Sequence, residues 1–196
     1  MPEPTTERTE STIKNQGSRI IEALSAIVPG ASYEAGASVD FATIYVPAER
    51  LVETCRALRD TPSLGFALLV DVIGVDYLPR APRYEVVYHL VSLSNKQRLR
   101  VKVRVPHGGS VPTVHRLWPA ANWHERELWD MFGIFIEDHP DLRRILMPED
   151  WEGHPLRKDY PVQIRKTPQT YEPLEVTEQE FRRNLERDRA QRTQPH

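Results

Sequence analysis

The feature that most constrains the fold is the stretch RLRVKVRVP at 98–106, in which two kinds of side chain alternate strictly. Apolar residues occupy every second position from Leu99 to Val105, and cations stand between them. Because successive side chains of a strand point to opposite faces of a sheet, one face of this strand is apolar and the other is basic. The stretch YEVVYHLVSL at 84–93 precedes it, and the polar tetrapeptide SNKQ joins the two, which predicts an antiparallel hairpin.

Three further segments predict what packs on this hairpin. LGFALLVDVIGVDY at 64–77 is a nearly continuous apolar run, typical of a central strand with both faces covered. VDFATIYVP at 39–47 is β-branched and aromatic and predicts another strand. Apolar periodicity predicts helices at about 18–28 and at 48–60, the second with Pro47 at its first turn. The predicted fold class is α+β, a mostly antiparallel sheet with helices packed on one face, followed by a short helix and an extended C-terminal strap.

Composition divides the chain into four segments. Residues 1–17 hold glutamates and prolines where a signal peptide needs an apolar stretch, and we expect a disordered lead. Residues 18–118 are the predicted α+β domain, 119–175 the short helix and its docking strap, and 176–196 a charged tail that can form a helix. From residue 137 onward, apolar residues come singly between charges and prolines. We therefore expect the strap to be held in place by something outside the chain.

The stretch ANWHERELWDMFG at 121–133 predicts the short helix, with Asn122 as its N-cap and the final glycine as its C-cap. Helical spacing puts Arg126 and Asp130 on the polar side, where they are spaced to form an ion pair. Glu125 falls on the apolar arc, where an unpaired carboxylate costs several kcal/mol. Its candidate partners are Arg143, Arg144 and Arg157.

Adjacent His124 and Glu125 offer one alternative, a stand-alone enzyme. Neighbouring residues on a helix point about 100° apart, so the two side chains cannot easily share one substrate atom. A structural carboxylate is the preferred interpretation, and the enzyme hypothesis predicts activity in the isolated chain. The sequence HERE also lacks the H-E-x-x-H spacing of a metal site, and no glycine-rich phosphate loop is present.

The basic face of the 98–106 strand offers a second alternative, an RNA-binding module. Its four cations can follow a nucleic-acid backbone; they are Arg98, Arg100, Lys102 and Arg104. RNA-binding sheets usually add stacked aromatic side chains on the same face, whereas these cations stand alone in the strand. We favour a solvated face, or one docked on an acidic partner.

Two short segments of the strap are near-copies of each other. EDHPDLRR at 137–144 and EGHPLRKD at 152–159 each carry an acid, a His-Pro pair, a leucine and two cations. Proline fixes each turn, the leucine can enter a pocket, and arginine can make forked contacts to carboxylates. The pattern predicts clips that hold the strap on another protein.

The single cysteine, Cys55, excludes an internal disulfide and cannot supply the four thiolates of an ordinary iron–sulfur cluster. It is most simply a small core residue, so any redox centre is expected in another chain. The formal net charge of -2 gives no overall attraction to nucleic acid or anionic lipid. No apolar run approaches the ~18 residues of a membrane helix.

The helix and the strap together resemble the signature of the 30 kDa subunit of proton-translocating NADH:quinone oxidoreductase, respiratory complex I. The residues that carry the resemblance are Glu125, Arg126, Glu127, Asp130, Met131, Phe132, His139, Arg143, Ile145 and Leu146. The following EGHPLRKDYP, with His154 and Arg157, is similar to the family's downstream block, and the sheet segments are similar to its sheet. The resemblance covers about residues 60 to 162.

The resemblance implies a non-redox core subunit of the peripheral arm, which docks through these signature residues on the quinone-site subunit of the 49 kDa type. FMN and the iron–sulfur clusters are then expected in partner subunits, with no cofactor and no catalytic residue in this chain. The implied location is the cytoplasmic side of the inner membrane, reached only through the complex. Membrane-bound hydrogenases and chloroplast-type complexes have similar subunits, which leaves the electron donor open.

Overall fold

The computed structural model describes residues 5–38, 40–161, 177–183 and 186. Its helices are α1 (Thr5–Ile27), α2 (Leu51–Asp60, preceded by a 3₁₀ turn at Ala48–Arg50) and α3 (Ala121–Phe132). Its strands are β1 (Glu34–Gly36), β2 (Ala42–Tyr45), β3 (Leu68–Asp76), β4 (Tyr84–Ser92), β5 (Gln97–Val105), β6 (Ser110–Pro112) and β7 (Phe135–Glu137). The first five strands form a sheet in the order β1-β2-β5-β4-β3, and β6 pairs with β7. Only β2–β5 is parallel in the larger sheet, so the predicted mostly antiparallel α+β class is confirmed.

The hairpin formed by β4 and β5 is the centre of the sheet. Its register places Tyr88 opposite Val101. The apolar side chains of β5, from Leu99 to Val105, are at most 1% exposed and face the layer of helices. Burying a side chain of this size contributes about 1.5–3 kcal/mol, so the alternation seen in the sequence fixes which face of the sheet carries the core.

Helix α2 begins as the sequence predicts. Pro47 stands directly before the 3₁₀ turn, where its missing N–H is no loss. One stripe of the helix, including Leu51, Cys55 and Leu58, is fully buried against the sheet. Cys55 is a core residue, as predicted.

Strand β3 differs from its prediction. The continuous apolar run of 64–77 indicated a central strand, but β3 lies at the edge of the sheet, with β4 as its one neighbour. Helix α3 covers one face of it. Leu68, Val70 and Ile73 remain 45%, 51% and 40% exposed. The prediction failed because an apolar run does not indicate the position of a strand in the order of the sheet. It also does not indicate whether residues of the same chain pack on both faces of the strand.

The beginning of the chain also differs from expectation. Helix α1 begins at Thr5, whereas we predicted a disordered lead to residue 17 and a helix start near Ser18. No proline or glycine interrupts residues 5–16, and extending a helix costs much less than nucleating one. The short strand β1 was not predicted, because three residues carry too little periodicity. Residues 1–4 lie outside the described part of the chain.

The predicted boundary at residue 118 does not separate two bodies. The sheet, α3 and the strap as far as Pro161 belong to one compact unit. In the second unit, residues 178–183 are helical and Glu178 pairs with Arg182 at 2.8 Å, in keeping with the charged helix expected there. The rest of the predicted strap, residues 162–175, lies outside the described residues.

Candidate functional site

Helix α3 and the strap that follows it bring the signature residues together. The helix begins one residue earlier than predicted, and Asn122 is not its N-cap: the N–H of Ala121 already donates to the carbonyl of Trp118 in the preceding turn. The predicted C-cap is confirmed. Gly133 has a φ of 69°, a left-handed conformation that glycine adopts without strain, and its N–H donates to the carbonyl of Trp129.

The apolar side of α3 packs on β3. Leu128, Met131 and Phe132 are 2%, 6% and 9% exposed. A methyl group built on Gly74 of β3 would lie 2.6 to 2.8 Å from the side chains of Phe132 and Leu128, so only glycine permits this close approach. The contact fixes α3 on the edge of the sheet and places its other side toward the strap.

Glu125 is fully buried, but none of its three candidate arginine partners reaches it. Its carboxylate accepts the N–H of Val114 at 2.7 Å and the hydroxyl of Thr113. The ring of His139 lies 3.9 Å away, and burial lowers the pKa of His139, which keeps the ring neutral. Burial raises the pKa of Glu125 to about 7, because two hydrogen bonds only partly offset the lost hydration. Glu125 therefore holds the segment before α3 against the helix.

The geometry of Glu125 predicts a stability that depends on pH. Its folded pKa of about 7 exceeds the ordinary value of 4.5, so the folded chain binds one more proton than the unfolded chain between these values. The contribution of Glu125 to the free energy of unfolding is fully present at low pH and is lost as the pH rises to about 7. The total loss is about 3 kcal/mol. The variant Glu125→Gln keeps the shape without the charge. Relative to wild type, it should gain about 3 kcal/mol of unfolding free energy between pH 5 and pH 8 in urea titrations.

A matched control for this prediction is the exposed neighbour Glu127, whose change to Gln should have little effect at either pH. Comparing each variant with wild type cancels the pH dependence of opposite sign that His89 and His154 give to the stability, since burial lowers the pKa values of both. An equal stability difference at pH 5 and pH 8 would show that Glu125 stays charged in the fold.

Arg126 and Asp130 do not form the predicted ion pair with each other. Arg126 is 9% exposed and donates to the carbonyls of Arg143 and Arg144 at 3.1 and 3.2 Å. Its guanidinium also lies 5.1 Å from the ring of Trp123. The side of α3 that looked polar in the sequence is therefore covered by the strap of the same chain.

Asp130 is the anchor of the strap. It is fully buried, and one carboxylate oxygen accepts three consecutive backbone N–H groups, at 3.0, 2.8 and 2.9 Å, from Ile145, Leu146 and Met147. The other oxygen accepts the guanidinium of Arg144 at 2.6 Å. Burial alone would raise the pKa of Asp130, but these donors outweigh it and lower the pKa.

The two near-copies in the strap bind the same helix. His139 of the first contacts the carbonyl of Asn122 at 3.2 Å, and His154 of the second contacts the carbonyl of Asp130 at 2.9 Å. Their leucines differ, because Leu142 packs against the core whereas Leu156 is 55% exposed. Both clips therefore hold the strap on its own helix, which corrects the prediction that they hold it on another protein.

The second near-copy also completes the C-terminal end of α3. The N–H of Leu156 donates to the carbonyl of Met131 at 3.1 Å, and Arg157 donates to the carbonyls of Phe132 and Gly133. These carbonyls have no partner within a helix, and a cation at this end is favoured by the helix dipole. Arg143, by contrast, is exposed and pairs at 2.6 Å with Asp141.

A buried ion pair, Arg83 with Asp76, is joined by the half-exposed Asp159 and ties the end of the strap to the sheet. Sequence reasoning missed this cluster. Arg83, at the start of β4, donates two bonds to Asp76, at 3.0 and 2.8 Å, and two to Asp159, at 2.9 and 2.6 Å. The N–H of Lys158 adds a bond to Asp76 at 2.9 Å. Arg83 holds the pKa of Asp76 well below its usual range. A sequence signal does exist, since charges at the ends of two paired apolar strands are costly to bury unless they pair.

The structure does not bring together the residues of the enzyme alternative, and it pairs most cations of the RNA-binding alternative with acidic side chains. His124 lies 3.3 Å from Asp71 on β3, away from the contacts of Glu125. Three cations of the basic strand form ion pairs: Arg100 with Asp40, Lys102 with Glu85, and Arg104 with Glu34. The cations also do not stand alone, because the rings of Phe41 and Tyr45 lie against them.

Metal-binding and membrane-spanning features are absent from the part of the chain that the structure describes. Within it, no three His, Cys, Asp or Glu side chains converge as metal ligands. None of its helices combines the length and the hydropathy needed to cross a bilayer.

The fold and the site together define an α+β domain whose helix α3 fastens the C-terminal strap of the same chain through buried charges. The description "Respiratory-chain NADH dehydrogenase, 30 Kd subunit" belongs to a family model that matches residues 44–166. This chain belongs to that family, and the predicted resemblance is confirmed. It is a subunit of a respiratory NADH-quinone oxidoreductase and so works in a hetero-oligomeric complex.

Individual relatives agree with the family. A NADH-quinone oxidoreductase subunit of Roseiflexus sp. (strain RS-1) is 53% identical over 144 residues, covering 73% of this chain and 83% of the relative. The corresponding subunit of Rhizobium meliloti (strain 1021) is 53% identical over 133 residues, covering 68% and 73%. A solved chain of the membrane-bound sulfane sulfur reductase, an archaeal respiratory membrane complex, superposes with a TM-score of 0.61 at 26% identity, covering 75% of this chain and 86% of that one.

Proposed function

We propose that this chain is a non-redox core subunit of the peripheral arm of NADH:quinone oxidoreductase and docks on the 49 kDa-type quinone-site subunit. FMN and the iron–sulfur clusters lie in partner subunits, and this chain supplies no catalytic residue of its own. It sits on the cytoplasmic side of the inner membrane, attached through the complex.

The chemistry of Cys55 supports the non-redox role. Iron–sulfur clusters are held by cysteine thiolates, and this chain has one cysteine. Cys55 is fully buried, and burial raises its pKa to about 12, so its thiol stays protonated. Six polar groups of the signature are engaged in contacts within the chain: Glu125, Arg126, Asp130, His139, His154 and Arg157.

The observation that carries the docking proposal is the direction of the side chains around α3. Its buried charges turn inward and fix the strap, while large apolar side chains of the helix and of the strap remain exposed. Trp123 and Leu146 are each 60% exposed, and Leu156 is 55% exposed. Tryptophan held rigidly at a surface is frequent among the residues that dominate binding energy, and exposed apolar groups in one region indicate an interface.

The experiment is co-purification of the whole complex from membranes that carry the variant Trp123→Ser with Leu146→Ser. Both side chains are exposed, so the fold should persist while recovery of the quinone-site subunit with this chain falls by about 30-fold or more, the loss of about 2 kcal/mol typical of a central anchor. The matched control is Ile27→Ser at the end of α1, where 43% of the residue is exposed. Normal recovery with both serines would place the docking surface elsewhere.

A further inference from the structure

The sheet has one face that this chain leaves uncovered in its described part. All the packed helices lie on the opposite face, so the second face of β3, β4 and β5 forms an open sheet face. Its members on β3 are Leu68, Val70, Asp71 and Ile73, followed by His89 and Val91 on β4 and Arg98 on β5. All of them except Leu68 line a groove of about 440 Å³ that continues to Phe41.

The composition of β3 does not suit a solvated face. An antiparallel strand that faces water on one side alternates polar with apolar residues, as β5 does. In β3, Val70 and Ile73 are 51% and 40% exposed although both are β-branched apolar residues. Isolated exposed apolar residues are common, but a contiguous group beside a groove indicates an interface.

The charges around the groove indicate which charge a segment bound there carries. Arg98 is exposed and, among the residues that the structure describes, has no carboxylate partner, although its guanidinium lies 5.4 Å from the ring of Phe41. His89 accepts a hydrogen bond from Arg100, and its burial lowers its pKa, so it adds no charge. Asp71, the acid of the groove, lies 3.3 Å from His124 and accepts the N–H of Val72. The rest of the groove along β3 is apolar, and Arg98 on its far side is a cation without a carboxylate partner among the described residues, which fits an apolar segment carrying an acidic residue.

We propose that the open sheet face binds an apolar segment, flanked by Asp or Glu, of a second neighbouring subunit of the complex. This inference rests on the proposed function only in that the chain works inside a hetero-oligomer. The segment lies across the face and does not extend the sheet, because the carboxylate of Asp71 accepts the N–H of Val72 at 2.8 Å and so occupies a donor that an added strand needs.

The first test is a photocrosslink in the intact complex. A benzophenone amino acid is placed at Ile73, and at Leu93, 71% exposed at the end of β4, as the matched control. Position 73 should crosslink in high yield to a peptide of another subunit that contains apolar residues and an acid within a few positions, while position 93 should not. A crosslink to a second copy, a crosslink to residues of this chain, or none at all would overturn the proposal.

The second test uses the variants Ile73→Glu and Arg98→Ala, with Leu93→Glu as the control. Because these side chains are exposed, each variant should keep the thermal midpoint of the isolated chain. Ile73→Glu should reduce recovery of the crosslinked subunit at least tenfold, and Arg98→Ala by a smaller factor that vanishes at high salt. The Trp123 and Leu146 contact should persist in both, so this proposal can fail separately from the docking proposal. Unchanged recovery of the crosslinked subunit with Ile73→Glu would contradict the proposal that the open sheet face binds this subunit.

Discussion

Replacing Asp130 with alanine is expected to detach the strap from α3 and to lower the free energy of unfolding by about 3–5 kcal/mol. The carboxylate is fully buried and binds the guanidinium of Arg144 together with three backbone N–H groups of residues 145–147. Its removal leaves a partly buried cation and three donors without partners, and each such group is costly. Because the folded pKa of Asp130 is lowered, its contribution is present at neutral pH and is lost as the pH falls below about 4.

Hydrogen exchange and urea titration measure this effect together. Amides of residues 145–147 should be protected in the wild type and exchange much faster in Asp130→Ala. The matched control is Asp141→Ala, which removes a 44%-exposed partner of Arg143 and should change the free energy of unfolding little. Asp130→Asn keeps the volume without the charge and should fall between the two. Equal protection in Asp130→Ala and wild type would mean that the strap is held by other contacts.

Local patterns predicted the parts of the fold that depend on neighbouring residues. The alternation in 98–106 gave β5 and its buried face, Pro47 marked the start of the helical segment, and Gly133 ended α3 in the left-handed conformation. In each case the physical cause lies within a few residues: the period of a strand, a missing N–H, a missing Cβ.

The partners of buried charges could not be predicted in this way. Glu125 was expected to meet arginines that follow it, but it meets Thr113 and Val114, which precede it. Arg83 meets Asp159, which lies in a different segment of the chain, on the strap. Such contacts are set by how the sheet, α3 and the strap pack, and helical or strand periodicity carries no information about that packing. The edge position of β3 was missed for the same reason.

The role of the signature changes when its contacts are known. In the sequence, its charges are typical of a surface that binds a neighbouring protein. In the structure, Glu125, Arg126 and Asp130 are all buried and make contacts inside the chain. The strap is nevertheless irregular, with few apolar residues, and depends on these polar contacts for its position. The signature thus acts on the proposed docking surface indirectly, by fixing the segment that carries Leu146 and Leu156.

The largest effect on the junction between the sheet and the strap is expected from Arg83→Met. Asp76 is 2% exposed at its side chain and would lose the one cation that pairs with it among the described residues, which costs about 3–5 kcal/mol of unfolding free energy, and Asp159 would lose its anchor. The folded pKa of Asp76 is lowered in the wild type, so the stability that this pairing gives is present above about pH 4 and is lost as the pH falls below it.

The difference between wild type and Arg83→Met should therefore be largest near pH 7 and should shrink on acidification, as urea titrations at a series of pH values will measure. Arg104→Met is the matched control, since its pair with Glu34 has side chains 42% and 61% exposed and should contribute little to the free energy of unfolding. Adding Asp76→Asn to Arg83→Met should restore part of the loss, because the uncompensated carboxylate is then gone. A loss that is independent of pH and that Asp76→Asn does not relieve would assign the role of Arg83 to packing of its alkyl chain and not to charge.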